Sequence, residues 1–346
     1  MISENRSVLV IYTGGTIGMI RNAETGALEP FDFDHLYKHL PVLESLKCKI
    51  DNYSFSPLID SSDMNPDFWI RLAGVIRDNY EKYDGFVVLH GTDTMAYTAS
   101  VLSFMLENLN KPVILTGSQL PLGMIRSDGR ENFITSIEIA TAYEDDTPIV
   151  PEVAICFENK LLRGNRTTKF NAEHFDAFFS GNYPPLAEIG IHIRFNRNYI
   201  LKPNFRRLKV HDNLETGVMI LKLFPGIQPA MVEAVFAIPG LKGVILETFG
   251  SGNAPTNQAF LNALAGAIAQ GIIVYNVTQC KSGAVEQGLY QTSLRLGEIG
   301  VISGADITTE AALAKMMFLL GEGYQGEELA NLLTRPLRGE MSVELD

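Results

Sequence analysis

Short apolar runs alternate with longer stretches of helical spacing along most of the chain. The runs "SVLVIYT", "GFVVLH", "PVILTG", "VAICF", "GVMILKL", "GVILETFG" and "GIIVYNVT" are nearly continuous in aliphatic and β-branched residues. A strand with one wet face alternates polar and apolar positions, whereas a strand covered on both faces does not. These runs therefore read as strands of parallel sheets with helices on both sides. The intervening segments agree. "NPDFWIRLAGVIRDNYEKY" opens at Pro66 and carries Phe68, Leu72, Val75, Ile76 and Tyr80 at helical spacing. "MAYTASVLSFMLENL", "RENFITSIEIATAY" and "NQAFLNALAGAIAQG" also fit helices, the last stopping at Gly271. Strand, helix, strand, helix means an α/β fold with mostly parallel sheets.

The rhythm breaks over 183–212, "YPPLAEIGIHIRFNRNYILKPNFRRLKVHD", where prolines, polar residues and basic residues crowd together without helical periodicity. Beyond it the alternation resumes. The expected organisation is a larger N-terminal α/β domain over 1–190, a linker over 191–212 and a smaller C-terminal α/β domain over 213–346. The length, 346 residues, suits two domains of ordinary size.

Composition narrows the function classes. Hydrophobic residues make up 46% and charged residues 20%, as in a globular chain with a substantial core. The net charge of −12 argues against a nucleic-acid partner, which needs a basic field. The N-terminal "MISENRSVLV" shows no apolar signal region after a basic start, and no run of about 18 apolar residues occurs, so neither secretion nor a membrane span is expected. The cytoplasm is the expected compartment. Cys48, Cys156 and Cys280 lie far apart without zinc-ligand spacing, and each reads as a small buried hydrophobe in a reduced state.

Candidate chemistry gathers where strands end. In open α/β sheets ligands sit outside the carboxyl ends of the strands. "TGGTIG" puts Thr16 after two glycines, "LIDSSDMN" supplies Ser61, Ser62 and Asp63, "HGTDT" supplies Thr92 and Asp93, and "LTGSQLP" supplies Thr116, Ser118 and Gln119. A dinucleotide fingerprint needs glycine at the third position, where Thr16 stands, and no P-loop follows a strand, so nucleotide binding is disfavoured. The bland reading is that Thr92 or Asp93 caps the helix starting near Met95. Hydroxyls at several strand ends favour a site instead. Lys169, in "LLRGNRTTKFN", is either a solvated surface lysine or the base such a site lacks. His35 and His39 have helical spacing without a metalloprotease motif and read as helix surface. His90 reads as a satisfied, partly buried residue. No G-x-S-x-G elbow occurs. A threonine nucleophile without histidine needs another base, and a lysine serves if burial or a neighbouring charge lowers its pKa.

Together "YTGGTIGM", "DSSDM", "LHGTDTMAYTAS", "TGSQLPL", "RSDGREN" and "RGNRTTK" resemble the L-asparaginases, most closely the cytoplasmic type I bacterial form. The resemblance covers nearly the whole chain, including "GSGNAP" and "NVTQCKSG". It implies an asparaginase/glutaminase-like pair of α/β domains and an amidohydrolase converting L-asparagine and water to L-aspartate and ammonia. It implies a threonine nucleophile and a β-aspartyl acyl-enzyme, with Thr16, Thr92, Asp93 and Lys169 as catalytic residues. Ser61, Ser62, Thr92, Asp93 and Asn253 would bind substrate, Asp93 taking the ammonium and Ser61 the carboxylate. No metal or organic cofactor and no nucleic-acid or membrane partner is implied. A homodimer or homotetramer with shared active sites is.

The chain departs from that pattern twice. The segment "MIRNAETGALEPFDFDH" carries no tyrosine to assist Thr16, as many asparaginases have in their lid. Glu247, in "ILETFG", stands where some type I enzymes place an arginine of a second, regulatory asparagine site, so that regulation is expected to be absent or altered. Two alternatives stay open. One is an asparaginase-like subunit of a tRNA amidotransferase, which would carry a further N-terminal domain before the strand that begins here by Val8. The other is a non-catalytic amino-acid sensor.

Overall fold

A computed structural model of the chain describes residues 6–21, 28–30, 40–122, 124–286 and 291–342. His35 and His39, and most of the tyrosine-free segment, lie outside them. The chain divides into two compact units, one ending at Asp212 and the other beginning at Asn213.

The first unit is built on one eight-stranded sheet. Its strands are β1 (Ser7–Tyr12), β2 (Lys49–Ser54), β3 (Gly85–Leu89), β4 (Val113–Thr116), β5 (Val153–Phe157), β6 (Lys160–Arg163), β7 (Ala187–Ile189) and β8 (Ile193–Phe195). The spatial order is β2-β1-β3-β4-β5-β6-β7-β8, with the first five parallel and the rest antiparallel. The apolar runs become the parallel centre. Val8, Val10, Tyr12, Val87, Leu89, Ile114, Ala154 and Cys156 point to one face, into a cluster with Phe133 and Ile137. The alternate residues Leu9, Ile11, Phe86, Val88, Val113, Leu115 and Ile155 are equally buried. Burial on both faces is the period-two pattern of a sandwiched strand.

The expected helices form as α1 (Pro66–Asn79), α2 (Met95–Met105) and α3 (Gly129–Ala140). Asn65 caps α1 by accepting the Phe68 N–H at 3.1 Å, with Pro66 in the first turn where its missing N–H costs nothing. Phe133 and Ile137 come from α3. The second unit holds a four-stranded parallel sheet: β9 (Val218–Lys222), β10 (Gly243–Thr248), β11 (Ile273–Thr278) and β12 (Ile302–Ser303), in that order. Among its helices are α4 (Pro229–Phe236), α5 (Gln258–Ala269) and α6 (Thr309–Gly321). Fully buried Lys315 of α6 pairs with equally buried Glu340 at 2.8 Å and so fixes the end of the described chain.

Two expectations need revision. Residues 191–212 are tied into the first unit rather than left as free chain: Ile193–Phe195 is a strand of its sheet, and Lys209–Val210 pairs with Leu106–Glu107. Of the cysteines, Cys156 is buried, and burial pushes its thiol up to about 12, but Cys48 is half-buried and Cys280 is exposed.

A buried ion pair connects this segment to the sheet. Arg163 donates from Nε to Glu152 at 2.6 Å and from a terminal nitrogen to the Tyr199 carbonyl at 2.8 Å, while Glu152 also accepts the Leu201 N–H at 2.7 Å. Burial opposes the Arg163 charge, and Glu152 beside it outweighs that, so its pKa is raised. Removing one partner strands the other charge in the interior. Glu152→Ala should therefore lose about 3–5 kcal/mol of stability in urea unfolding.

Candidate active site

The sheet order places a switch point between β1 and β3. From β1 the chain steps outward to β2, then crosses back through α1 to β3 on the other side of β1. Loops leaving the carboxyl ends of β1 and β3 therefore diverge and open a crevice. "TGGTIG" follows β1 and "HGTDT" follows β3. The two loops are stitched at their bases, where Thr13 donates from its hydroxyl and its N–H to the Leu89 carbonyl, each at 3.0 Å.

Above that stitch the backbones touch. A methyl group on Gly15 would lie 2.6 Å from Cα of Gly91, and Gly15 has φ of 92°, which side chains other than glycine's seldom adopt. A methyl on Gly91 would lie 2.6 Å from the Ser61 hydroxyl oxygen. Three loops thus converge without side chains between them, and Thr16 and Thr92 each follow one of two touching glycines.

The predicted groups fall into place unequally. Lys169 donates to the Thr92 hydroxyl at 2.9 Å and pairs with Asp93 at 2.5 Å. Its side chain is 17% exposed and that of Asp93 67%. Lys169 is thus no solvated surface lysine. The capping reading of Thr92 and Asp93 also fails, because the residue at the cap of α2 is Thr94, and even Thr94 makes no capping bond. Thr16 opens a single helical turn, Thr16–Gly18, and its hydroxyl makes no hydrogen bond among the described residues. Ser61 is buried beside Gly91. Ser62 is exposed and donates its hydroxyl to Asp60 at 2.7 Å. Asn253 belongs to the second unit, in a turn closed by the Phe249–Asn253 bridge. The fourth strand end proves structural: Thr116 donates to the Cys156 carbonyl, Ser118 to that of Leu120, and Gln119 to those of Ala172 and His174. No group of acids, histidines and cysteines among the described residues has the arrangement of a metal centre.

Several residues outside the predicted site support these loops, among them His90, which the sequence reads as a satisfied residue. Thr94 donates its hydroxyl to the Ser61 carbonyl at 2.6 Å, binding the serine loop to the threonine loop. Tyr12 donates to the Gly18 carbonyl at 3.0 Å from beneath the first loop. His90 is fully buried rather than partly so. Its Nδ1 lies 2.6 Å from the Gly91 carbonyl, which only accepts, so Nδ1 carries the proton. Its Nε2 then accepts from the Thr98 hydroxyl at 2.9 Å, and Thr98 accepts from Nε1 of Trp69, also at 2.9 Å. The signal was available: a polar residue ending a buried apolar strand must find partners.

A hydroxyl held by an ammonium, at the mouth of a doubly wound sheet, is the equipment of a hydrolase that attacks through oxygen. Comparison with known proteins agrees. A model described as "Asparaginase, N-terminal" matches residues 7–201, and one described as "Glutaminase/Asparaginase C-terminal domain" matches residues 217–333. The chain is 45% identical over 345 residues to L-asparaginase 1 of Escherichia coli (strain K12), covering 99% of both. It is 43% identical to the 60 kDa lysophospholipase of Mus musculus, covering 98% of this chain and 63% of that one. The crystal structure of L-asparaginase I from Vibrio cholerae O1 biovar eltor superposes with a TM-score of 0.87 at 42% identity, over 98% of this chain and 100% of that one. The chain belongs to the asparaginase family.

Burial lowers the His90 pKa from 6.5 to about 4. The folded ring is neutral, while the unfolded ring takes a proton below pH 6.5, so acid favours unfolding. The stability His90 contributes is complete above about 6.5 and is lost as the pH falls toward 4. In urea unfolding the wild type should lose about 2–3 kcal/mol more than His90→Asn between pH 7 and about 4.5.

Proposed function

We propose that the chain hydrolyses the side-chain amide of L-asparagine to L-aspartate and ammonia, by acyl transfer to a threonine. The observation that carries this reading is the contact of Lys169 with both Thr92 and Asp93. A binding protein needs a polar cradle. It has no need of two hydroxyls at one switch point, one engaged by an ammonium and the other unengaged among the described residues.

On this reading the Thr16 hydroxyl attacks the amide carbon, and the C–N bond breaks as ammonia leaves with the hydroxyl's proton. Water then cleaves the β-aspartyl ester, restoring Thr16 and giving L-aspartate. Thr92, Lys169 and Asp93 act as one set, Asp93 fixing the ammonium and Lys169 steadying charge at the Thr92 oxygen. Ser61 and backbone N–H groups of the converging loops receive the substrate's carboxylate, and Asp93 its ammonium. Ser62, next to Ser61, also contacts the substrate on this reading. The reading extends to a homodimer or homotetramer in the cytoplasm, with Asn253 of one copy completing another's site. Glu247 accepts from the Thr309 hydroxyl at 2.7 Å and lies 3.6 Å from Lys222. A carboxylate at this position offers no positive charge to the substrate's carboxylate, which supports absent or altered regulation by asparagine.

Ammonia release from L-asparagine by the purified chain, with no other protein present, is the test. Thr16→Ala and Thr92→Ala should each lower kcat by at least about a thousandfold. No ammonia from the wild type would overturn the reading in favour of a sensor or a partner-dependent subunit. The rate should rise hyperbolically with asparagine concentration, and a sigmoidal curve would show that a regulatory site survives Glu247.

A further inference from the structure

We infer that His90 is a positioning residue of the acyl-transfer site: through the Gly91 carbonyl it sets the direction of the Thr92 N–H, so that this N–H serves as a donor to the developing oxyanion. The inference rests on the asparaginase reading above and adds a residue to it.

In a trans peptide the carbonyl and the next N–H point in opposite directions. The Gly91 carbonyl is drawn inward, held at 2.6 Å by Nδ1 of a ring with no exposed surface. The Thr92 N–H of the same peptide must then point away from the buried ring, which we take to be toward the crevice. That N–H makes no hydrogen bond among the described residues. Gly91 itself has no side chain to hold the peptide, and its open position is what lets Gly15 and Ser61 approach. Without an external hold a glycine peptide can flip, and a flipped peptide would present its carbonyl oxygen to the site, repelling negative charge.

The hold is a complete chain of donors and acceptors. Trp69 donates to Thr98, Thr98 to His90, and His90 to the Gly91 carbonyl. Each acceptor is used and the donors run one way, so the tautomer is fixed. Trp69 and Thr98 lie on α1 and α2, the two helices flanking the crossover into β3 and the loop after it. The direction of one N–H in the site is thereby referred to the packing of two helices. Burial keeps the ring neutral near neutral pH, so Nε2 remains an acceptor for Thr98. Trp69 is the single tryptophan of the chain, so its fluorescence reports on the first link of this relay.

Variants at His90 separate positioning from packing. In His90→Asn the amide nitrogen takes the place of Nδ1 and still reaches the Gly91 carbonyl. In His90→Gln the amide nitrogen takes the place of Nε2, and the hold on Gly91 is lost while the bulk is better kept. Ammonia release by the wild type establishes the reaction independently of either variant. The expected result is that His90→Gln lowers kcat by about tenfold to a hundredfold with KM changed less than about threefold, while His90→Asn stays within about fivefold of wild type. Equal losses in both variants, a rise in KM alone, or a His90→Gln enzyme with wild-type kcat would each overturn the inference. If His90→Gln does not fold, Thr98→Val decides. It should lower kcat severalfold and shift the Trp69 emission, and wild-type kcat with a shifted emission would refute the relay.

Discussion

Everything at the site depends on two glycine backbones that touch. Gly15 and Gly91 end loops that leave neighbouring parallel strands on opposite sides of a switch point, where the chain would otherwise diverge. Their contact, with Ser61 pressed against Gly91 from a third loop, brings hydroxyls that are 76 positions apart in sequence into one crevice. No side chain could mediate this as closely. A methyl group at either glycine meets atoms 2.6 Å away, well inside van der Waals contact. The sheet supplies direction, but the glycines supply proximity.

Proximity without side chains creates a second problem, which buried polar residues solve. Glycine peptides are conformationally permissive. The loops here are held from below by side chains that grip carbonyls: Tyr12 on Gly18, His90 on Gly91, Thr94 on Ser61. Holding a carbonyl inward turns the following N–H outward. The layer under the site therefore acts on the orientation of donors rather than on substrate. Such groups stabilise the fold only modestly in net terms, because each exchanges water for a protein partner. Their effect is to select one arrangement of an otherwise mobile backbone.

How much of this was readable in the sequence follows from the same physics. The central parallel strands were legible because burial on both faces writes a continuous apolar run, as in "SVLVIY" and "GFVVL", but β2, at the sheet edge and of mixed polarity, was not. The four helices that were expected announced themselves by spacing, with Pro66 and Gly271 marking an opening and a close. Strands β6 to β8 were not legible. They are short and of mixed polarity, and their pairing depends on neighbours far away in sequence. Thr16, Thr92, Asp93 and Lys169 stood out as polar residues in glycine-rich turns, and chemistry made Lys169 a candidate base, but its pairing with Asp93, 76 positions away, was not written in any spacing. Tyr12 escaped because periodicity counts it as one more apolar position, while His90 was legible as a satisfied residue at a strand end but its partners, Gly91 and Thr98, were not.

The charge of the whole chain and the charge at the site pull in different directions, and distance decides between them. A net charge of −12 repels, at long range, a carboxylate such as the one the substrate carries. Exposed charges farther apart than about 8 Å are largely screened at physiological salt, so the global field counts for little inside the crevice. What counts there is Lys169, at 2.9 Å from one hydroxyl and 2.5 Å from one carboxylate. On the function proposed above, hydrolysis turns a neutral amide into a second carboxylate beside this cluster. The product then faces Asp93 with one more negative charge than the substrate had. Asp93 holds the substrate's ammonium and fixes Lys169, and its own charge also opposes retention of the product. One exposed carboxylate can thus favour binding before the reaction and release after it, because the charge of its ligand changes in between.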